Sequence, residues 1–140
     1  MSLFVLDSDI LSLLDQGHST VLARVASHPV SEIAVPVIVV EEALSGWYSL
    51  IRKAKTPRQL ALGYDELANA VSVLSGIQIL RYTESAIARF KQLSKTKLHV
   101  RANDLRIAAI ALENNATVVT RNVRDFIVVP GLTVEDWSKP

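Results

Sequence analysis

No cysteine occurs among the 140 residues. Disulfides, zinc–thiolate centres and thiol nucleophiles are therefore excluded, and the absence suits a reducing cytoplasm. Aromatic residues make up only 6% of the chain against a hydrophobic share of 49%, so the core is expected to be aliphatic. No low-complexity run, internal repeat or linker interrupts the chain. Long apolar runs are also missing. Residues 3–6 are apolar but far too short for a signal or membrane segment, and no later run reaches membrane length. Neither sign of charge dominates, with 15 Lys and Arg against 14 Asp and Glu and a net charge of +1, so total charge says little about partners. What remains is a rather hydrophobic globular chain, long enough to bury one core without staples and expected to form a single domain over 1–140.

What is there alternates between two periods. Residues 3–6 read as a buried strand closed by Asp7-Ser8-Asp9, with Ser8 or Asp9 placed to cap a short helix over 10–15 that Gly17 ends. A second helix is predicted over 20–26. A strand at 32–35 runs straight into a helix at Pro36, where proline is tolerated in the first turn. That helix carries Val37, Val40, Leu44, Tyr48 and Ile51 at helical spacing. Thr56-Pro57 is a cap followed by a proline, opening a long helix to about Ser75. A third strand follows at 77–80, and a helix begins at Thr83-Glu84-Ser85. Asn103 can cap the next helix, with Asp104 in its first turn. Leu105, Ile107, Ala108, Ala109, Ile110, Ala111 and Leu112 make that helix apolar almost all round, so it should be buried on most sides. Asn114-Asn115 stop it, the β-branched run 117–120 reads as a central strand, and 132–135 reads as a short edge strand. Strands alternating with helices predict an α/β layer fold with a mostly parallel sheet.

In such a fold, acids at strand ends fall on one edge, where ligands bind. Asp7 follows the first strand directly. Glu42 lies on the helix that starts where the second strand ends, with Glu41 beside it as the alternative inward residue. Asp104 begins the helix before the fourth strand, and Asp125 sits just past that strand. Four hard oxygen donors around one cleft are what Mg²⁺ or Mn²⁺ prefers. The arrangement also suits metal-assisted attack of water on a phosphodiester. Without a cation, clustered carboxylates repel one another.

The segments VLDSDIL at 5–11, VIVVEEALSG at 37–46, NDLRIAAIAL at 103–112 and VVTRNVRDF at 118–126 resemble the four signatures of PIN-domain ribonucleases. The resemblance is nearest to the VapC-type toxins of bacterial toxin–antitoxin pairs, and it extends through VPGLTVEDW at 129–137. Each motif alone is short; four in order are specific. The resemblance implies a three-layer PIN-like fold and a metal-dependent endoribonuclease acting on single-stranded or loop RNA. It further implies metal-binding acids at Asp7, Glu42, Asp104 and Asp125, with an antitoxin partner and a homodimer. Two departures stand out. Asp9 occupies a place where the family often has Asn, and Asn122 one where many relatives carry Asp. The fourth acid is then Asp125, or Asp9 is added, or the site runs on three with Asn122 as a neutral ligand or water holder.

Other groups carry weaker signals. Ser8 fits either an outer-sphere water contact or a helix cap, and Thr120 and Arg121 flank the same edge. Arg121, Arg52, Lys53, Lys55 and Arg58 are candidate contacts to an RNA backbone, with solvated loop charge as the plainer reading. Lys91, Lys95, Lys97 and Arg101 form a second basic cluster, explained in part as cations at a helix C-terminus. His18, His28 and His99 show no ligand spacing and receive no role. Trp47 and Tyr48 are expected in a core or a dimer face. Two readings compete with the nuclease. Asp7-Ser8-Asp9 after a strand is the DxD pattern of a phosphohydrolase, though the chain is short for one and lacks a cap. A catalytically weak module that only binds RNA or protein is the other.

Overall fold

The computed structural model describes residues 2–140. Five strands form one sheet: β1 (Phe4–Leu6), β2 (Ile33–Pro36), β3 (Gln78–Leu80), β4 (Thr117–Val119) and β5 (Thr133–Glu135). Their order is β3-β2-β1-β4-β5, and every neighbouring pair is parallel. Parallel pairing needs a crossover between strands, and seven helices supply it. These are α1 (Ser8–Asp15), α2 (Ser19–Ala26), α3 (Val37–Lys53), α4 (Pro57–Ser75), α5 (Glu84–Ser94), α6 (Ala102–Glu113) and α7 (Val123–Ile127). The result is the expected α/β fold, a parallel sheet flanked by helices.

Burial follows strand position. In β1 and β2 every residue is buried, as both faces of an inner parallel strand require. The edge strands β3 and β5 are mostly open. Helix α6 is the central helix: Leu105 and the run from Ile107 to Ala111 are buried, as the all-round apolar pattern predicted. Helix α3 departs from its predicted core side. Ile38 and Val39 are buried, while Val37 and Val40 are partly so and Tyr48 is exposed. Only the first turns of α3 cover the sheet, and its later turns pack against α4. The two helices approach so closely that a Cβ on Gly63 would lie 2.9 Å from Ile51 Cγ1, a gap only glycine permits.

Local capping confirms some expectations and corrects others. Thr56 Oγ1 accepts from Gln59 N at 3.1 Å, with Pro57 in the first turn, and Thr83 Oγ1 accepts from Ala86 N at 3.1 Å. Asp7, rather than Ser8 or Asp9, caps α1, because that helix starts one residue after the strand. Asn103 is not the cap of α6. The helix begins at Ala102, Arg101 holds the cap position without a side-chain bond, and the Asn103 amide turns to another helix. His18, given no role from sequence, caps α2 through Nδ1.

The strand order sets the position of the site. From β1 the chain steps outward through β2 and β3, then returns to the other side of β1 as β4. The order reverses between β1 and β4, which leaves a crevice at their carboxyl ends. Asp7 and Thr120 are the first residues beyond those two ends.

Candidate metal-binding site

Asp7 is held from three directions. Its backbone N–H donates to Val119 O at 2.9 Å, continuing the β1–β4 ladder past the strand. Its Oδ1 accepts from Ser8 N at 2.8 Å, the cap of α1. Its Oδ2 accepts from the Thr120 hydroxyl at 2.9 Å, and Thr120 Oγ1 in turn accepts from Asn122 N at 2.9 Å. Asp7 and Thr120 are buried. Burial pushes the Asp7 carboxyl up to about 6, aided by the negative charges of Asp9 and Asp104 and opposed by the bonds from Ser8 and Thr120.

Helix α6 brings the second acid from below the crevice. Asp104, in its first turn, is almost wholly buried. A guanidinium covers it: Arg101 Nε donates to Oδ2 at 3.2 Å and Nη2 to Oδ1 at 3.0 Å. The same Nη2 lies 3.9 Å from Glu42 Oε2. The pair holds Arg101 firmly in its charged form.

Glu42, half-buried on α3, is the third acid near the crevice, whereas Glu41 faces solvent. Asn103 Nδ2 donates to Glu42 Oε2 at 3.4 Å, and Arg106 Nη1 donates to Asn103 Oδ1 at 2.7 Å. Arg106 itself lies 4.9 Å over the Phe90 ring. A chain of side chains from α5 and α6 thus orients one oxygen of Glu42. The other, Oε1, is buried without a hydrogen-bond partner.

Asp9 lies two residues beyond Asp7, in the first turn of α1. Its Oδ2 accepts from Arg121 N at 3.1 Å, whereas Oδ1 is buried and unpaired. Burial raises its pKa, against the pull of the Arg121 and Ile10 N–H groups. Asp125 sits further out on α7. Its Oδ2 accepts from Asn122 Nδ2 at 2.7 Å, so it reaches Asp7 only through Asn122 and Thr120. Asp125 lines an open cleft of about 620 Å³ with Arg121, Arg124, Asp136 and Lys139. Of the four acids singled out from sequence, Asp104 and Glu42 are joined through Arg101, Asp125 is linked to Asp7 through Asn122 and Thr120, and Asp7 meets Asp104 through charge alone.

Hard oxygen donors of this kind fit Mg²⁺ or Mn²⁺, and the partnerless Oε1 of Glu42 has a lone pair to offer. Among the described residues, no three acidic or histidine side chains converge into a ready-made metal cage. Between Asp104 and Glu42, the position of positive charge is taken by Arg101.

Ser8 and Glu42 open onto a hollow of about 360 Å³ that runs past Gly46, Trp47 and Leu50. Ser12, Trp47 and Leu50 also line the neighbouring groove of about 530 Å³ between α1, α3 and α4, which ends near Lys53. Trp47 accordingly lines a groove rather than a core. Arg52, Lys53, Lys55 and Arg58 are all exposed around the α3–α4 turn at that far end. Three residues escaped sequence reasoning: Arg101 had been grouped with surface cations, Asn103 with caps, and Arg106 with nothing. Their signal is the i,i+3 spacing of 101 with 104 and of 103 with 106 on one helix.

A sequence profile described as "PIN domain" matches residues 4–132. Ribonuclease VapC1 of Haemophilus influenzae strain R2866 is 24% identical over 144 residues, covering 98% of this chain and 99% of that protein. Ribonuclease VapC2 of Rickettsia felis is 42% identical over 48 residues, 34% of this chain and 36% of that protein. Among solved structures, the DNA-bound VapBC of Salmonella typhimurium superposes with a TM-score of 0.80 at 25% identity, covering 98% of this chain and 99% of that one.

Proposed function

The chain belongs to the PIN domain family, and from that premise we propose that it is a VapC-type ribonuclease, the toxin of a type II toxin–antitoxin pair, that hydrolyses RNA with a divalent metal. The observation that carries this reading is the gathering of acids near the switch point of the sheet, where Asp7 feels the charge of Asp104 and Asp104 is joined to Glu42 through Arg101, inside the region that the family profile spans. Family membership removes the phosphohydrolase reading of Asp7-Ser8-Asp9.

Asp7, Glu42 and Asp104 would hold Mg²⁺ or Mn²⁺. When bound, such an ion lowers the pKa of a water and screens charge on the phosphoryl oxygens. The chain's own groups do the rest. Thr120 and the Ser8 N–H fix both oxygens of Asp7, and Asn103 with Arg106 orients Glu42. Sub-ångström control of donors is what such chemistry needs. Asp9, Asn122 and Asp125 form the outer ring, and the fourth acid is to be found between Asp9 and Asp125. Ser8 is open to the hollow beside Glu42 and is placed to hold a water. Arg121, and the exposed set Arg52, Lys53, Lys55 and Arg58, supply positive charge at the two ends of the surface, where an RNA backbone would be gripped.

An antitoxin is the second expected partner. Leu50, Leu60, Leu62 and Tyr64 are exposed on α3 and α4, more apolar surface than scattered positions give a monomer. That surface, with the groove beside Trp47, supports docking of an antitoxin and pairing with a second copy. No helix is long and apolar enough to cross a membrane among the described residues, and the proposed place of action is the cytoplasm, with residues 1–140 working as one domain.

The deciding experiment incubates purified protein with an end-labelled RNA panel in Mg²⁺, Mn²⁺ or EDTA, beside Asp7→Asn. Cleavage that needs metal and Asp7 is the expected result. Cleavage in EDTA sinks the metal mechanism, and binding without cleavage by the wild type replaces the enzyme with a binding module.

A further inference from the structure

We propose that Arg101 is a resident counter-ion of the acid cluster, which a divalent cation must displace before the site is assembled. The inference rests on the reading of Asp7, Glu42 and Asp104 as metal ligands, and concerns how that site is kept when no metal is bound.

The Arg101 fork engages both oxygens of Asp104 and reaches Glu42 with the same Nη2. The lone pairs it uses are those a cation would need, so guanidinium and metal exclude one another. The exchange is sterically easy. The Asp104 side chain is 2% exposed, but that of Arg101 is 69% exposed, so the cation enters from solvent and can return to it.

Two further features bear on how the Arg101 side chain is held there. It sits at the cap position of α6 without capping it, and a cation at a helix N-terminus is opposed by the helix dipole. The loop leading to it carries Lys97 and His99 at φ 53° and 60°, both left-handed and neither glycine, a conformation that stores strain. The Arg101 guanidinium is therefore held against the local helix dipole, at the end of a loop that itself carries strain. The fit is also incomplete, because Glu42 Oε1 remains buried and unpaired beside it. A small hard cation can recruit that oxygen; a planar fork already spent on Asp104 does not.

The test is titration of Mn²⁺ into the full chain by calorimetry for wild type, Arg101→Met and Arg101→Lys. Arg101→Met should bind Mn²⁺ at least about tenfold more tightly than wild type, the competing term having been removed. Arg101→Lys keeps the charge without the fork and should fall between them. In EDTA, Arg101→Met should melt below wild type, and saturating Mn²⁺ should reverse the order. Should Arg101→Met fail to fold, the wild type still decides: Mg²⁺ should move the Arg101 Nε–H resonance to that of a free guanidinium. Equal Mn²⁺ affinity in wild type and a folded Arg101→Met overturns the inference alone, as does a bonded Nε–H signal that persists at saturating Mg²⁺. Absence of Mn²⁺ binding in all three proteins overturns the metal-site reading, and the inference with it.

Discussion

Two clusters bury polar groups in this molecule, and they treat them differently. Around Trp137, every group finds a partner. The indole is fully buried and donates Nε1–H to Glu135 Oε1 at 2.9 Å; Arg24 reaches the same carboxylate at 3.6 Å and lies 5.4 Å over the ring. His28 stacks parallel on the indole at 5.0 Å and meets Glu32 at 3.2 Å, while Phe4 tilts against both rings. At the crevice between β1 and β4, the opposite holds. The only buried side-chain oxygens without a hydrogen-bond partner among the described residues belong to Glu42 and Asp9, and Asp7 is pushed up to about 6. The first cluster fastens the last strand and tail to the sheet. The second holds like charges near one another at a cost to stability, as the proposed cation site would.

The largest effect should come from removing a charge at the crevice. Asp104→Asn and Asp7→Asn are expected to lower RNA cleavage on the order of a thousandfold or more, equivalent to about 4 kcal/mol in the barrier. Circular dichroism should show both variants folded. Full activity in Asp104→Asn breaks the comparison, because the strained cluster would then have no use.

Trp137→Ala should do the reverse. Loss of a fully buried indole costs about 3–5 kcal/mol of stability, read by denaturant melts. The folded fraction at low temperature should cleave RNA at the wild-type rate. A variant that stays as stable as wild type would remove the aromatic cluster as an anchor.

The pH dependence of the metal-free protein sharpens the contrast next. Asp7 has its pKa raised from 3.8 to about 6. Between these values the native carboxyl keeps its proton and the unfolded one has lost it, so stability falls as pH rises through the window. Above it the full penalty, about 3 kcal/mol, is present; below 3.8 it is gone. Asp7→Asn should therefore melt higher than wild type in EDTA at pH 7.5, by roughly 6–12 °C, and no higher at pH 3.5. Calorimetry at the two pH values checks this. An advantage that persists unchanged at low pH would assign it to packing.

The smallest effect is expected at the outer ring. Asp125→Asn removes charge from a side chain bonded to Asn122 and should cost about tenfold in cleavage, the scale of a group that orients others. Asp9→Asn, nearer to Asp7, should cost more. Equal loss in Asp125→Asn and Asp7→Asn would make Asp125 a direct ligand.

Much of this was legible along the chain. The alternation of apolar runs and helical periods located all five strands, and the unbroken apolar face of 105–112 marked the buried helix. Acids at strand ends pointed to the crevice. These features are local: each is written in residues one to four apart, and burial on both faces leaves a mark in composition. Where prediction failed locally, at the caps Asn103 and Ser8, the error was one of a residue or two, because several polar residues can cap and only packing selects which.

What the tertiary structure alone decided lies between distant residues. Glu42 was separated from Glu41 by the approach of Asn103, 61 residues away. Thr120 was tied to Asp7, 113 residues away, and Asp9 to the backbone of Arg121, 112 away. The Asp125 carboxylate was turned onto Asn122 by α7. Arg101 became the counter-ion of the cluster because α3 brings Glu42 beside Asp104. A one-dimensional pattern records which residues prefer burial or a helix. Which charges meet depends on how the helices cross over a parallel sheet, and that geometry exists only once the sheet has formed.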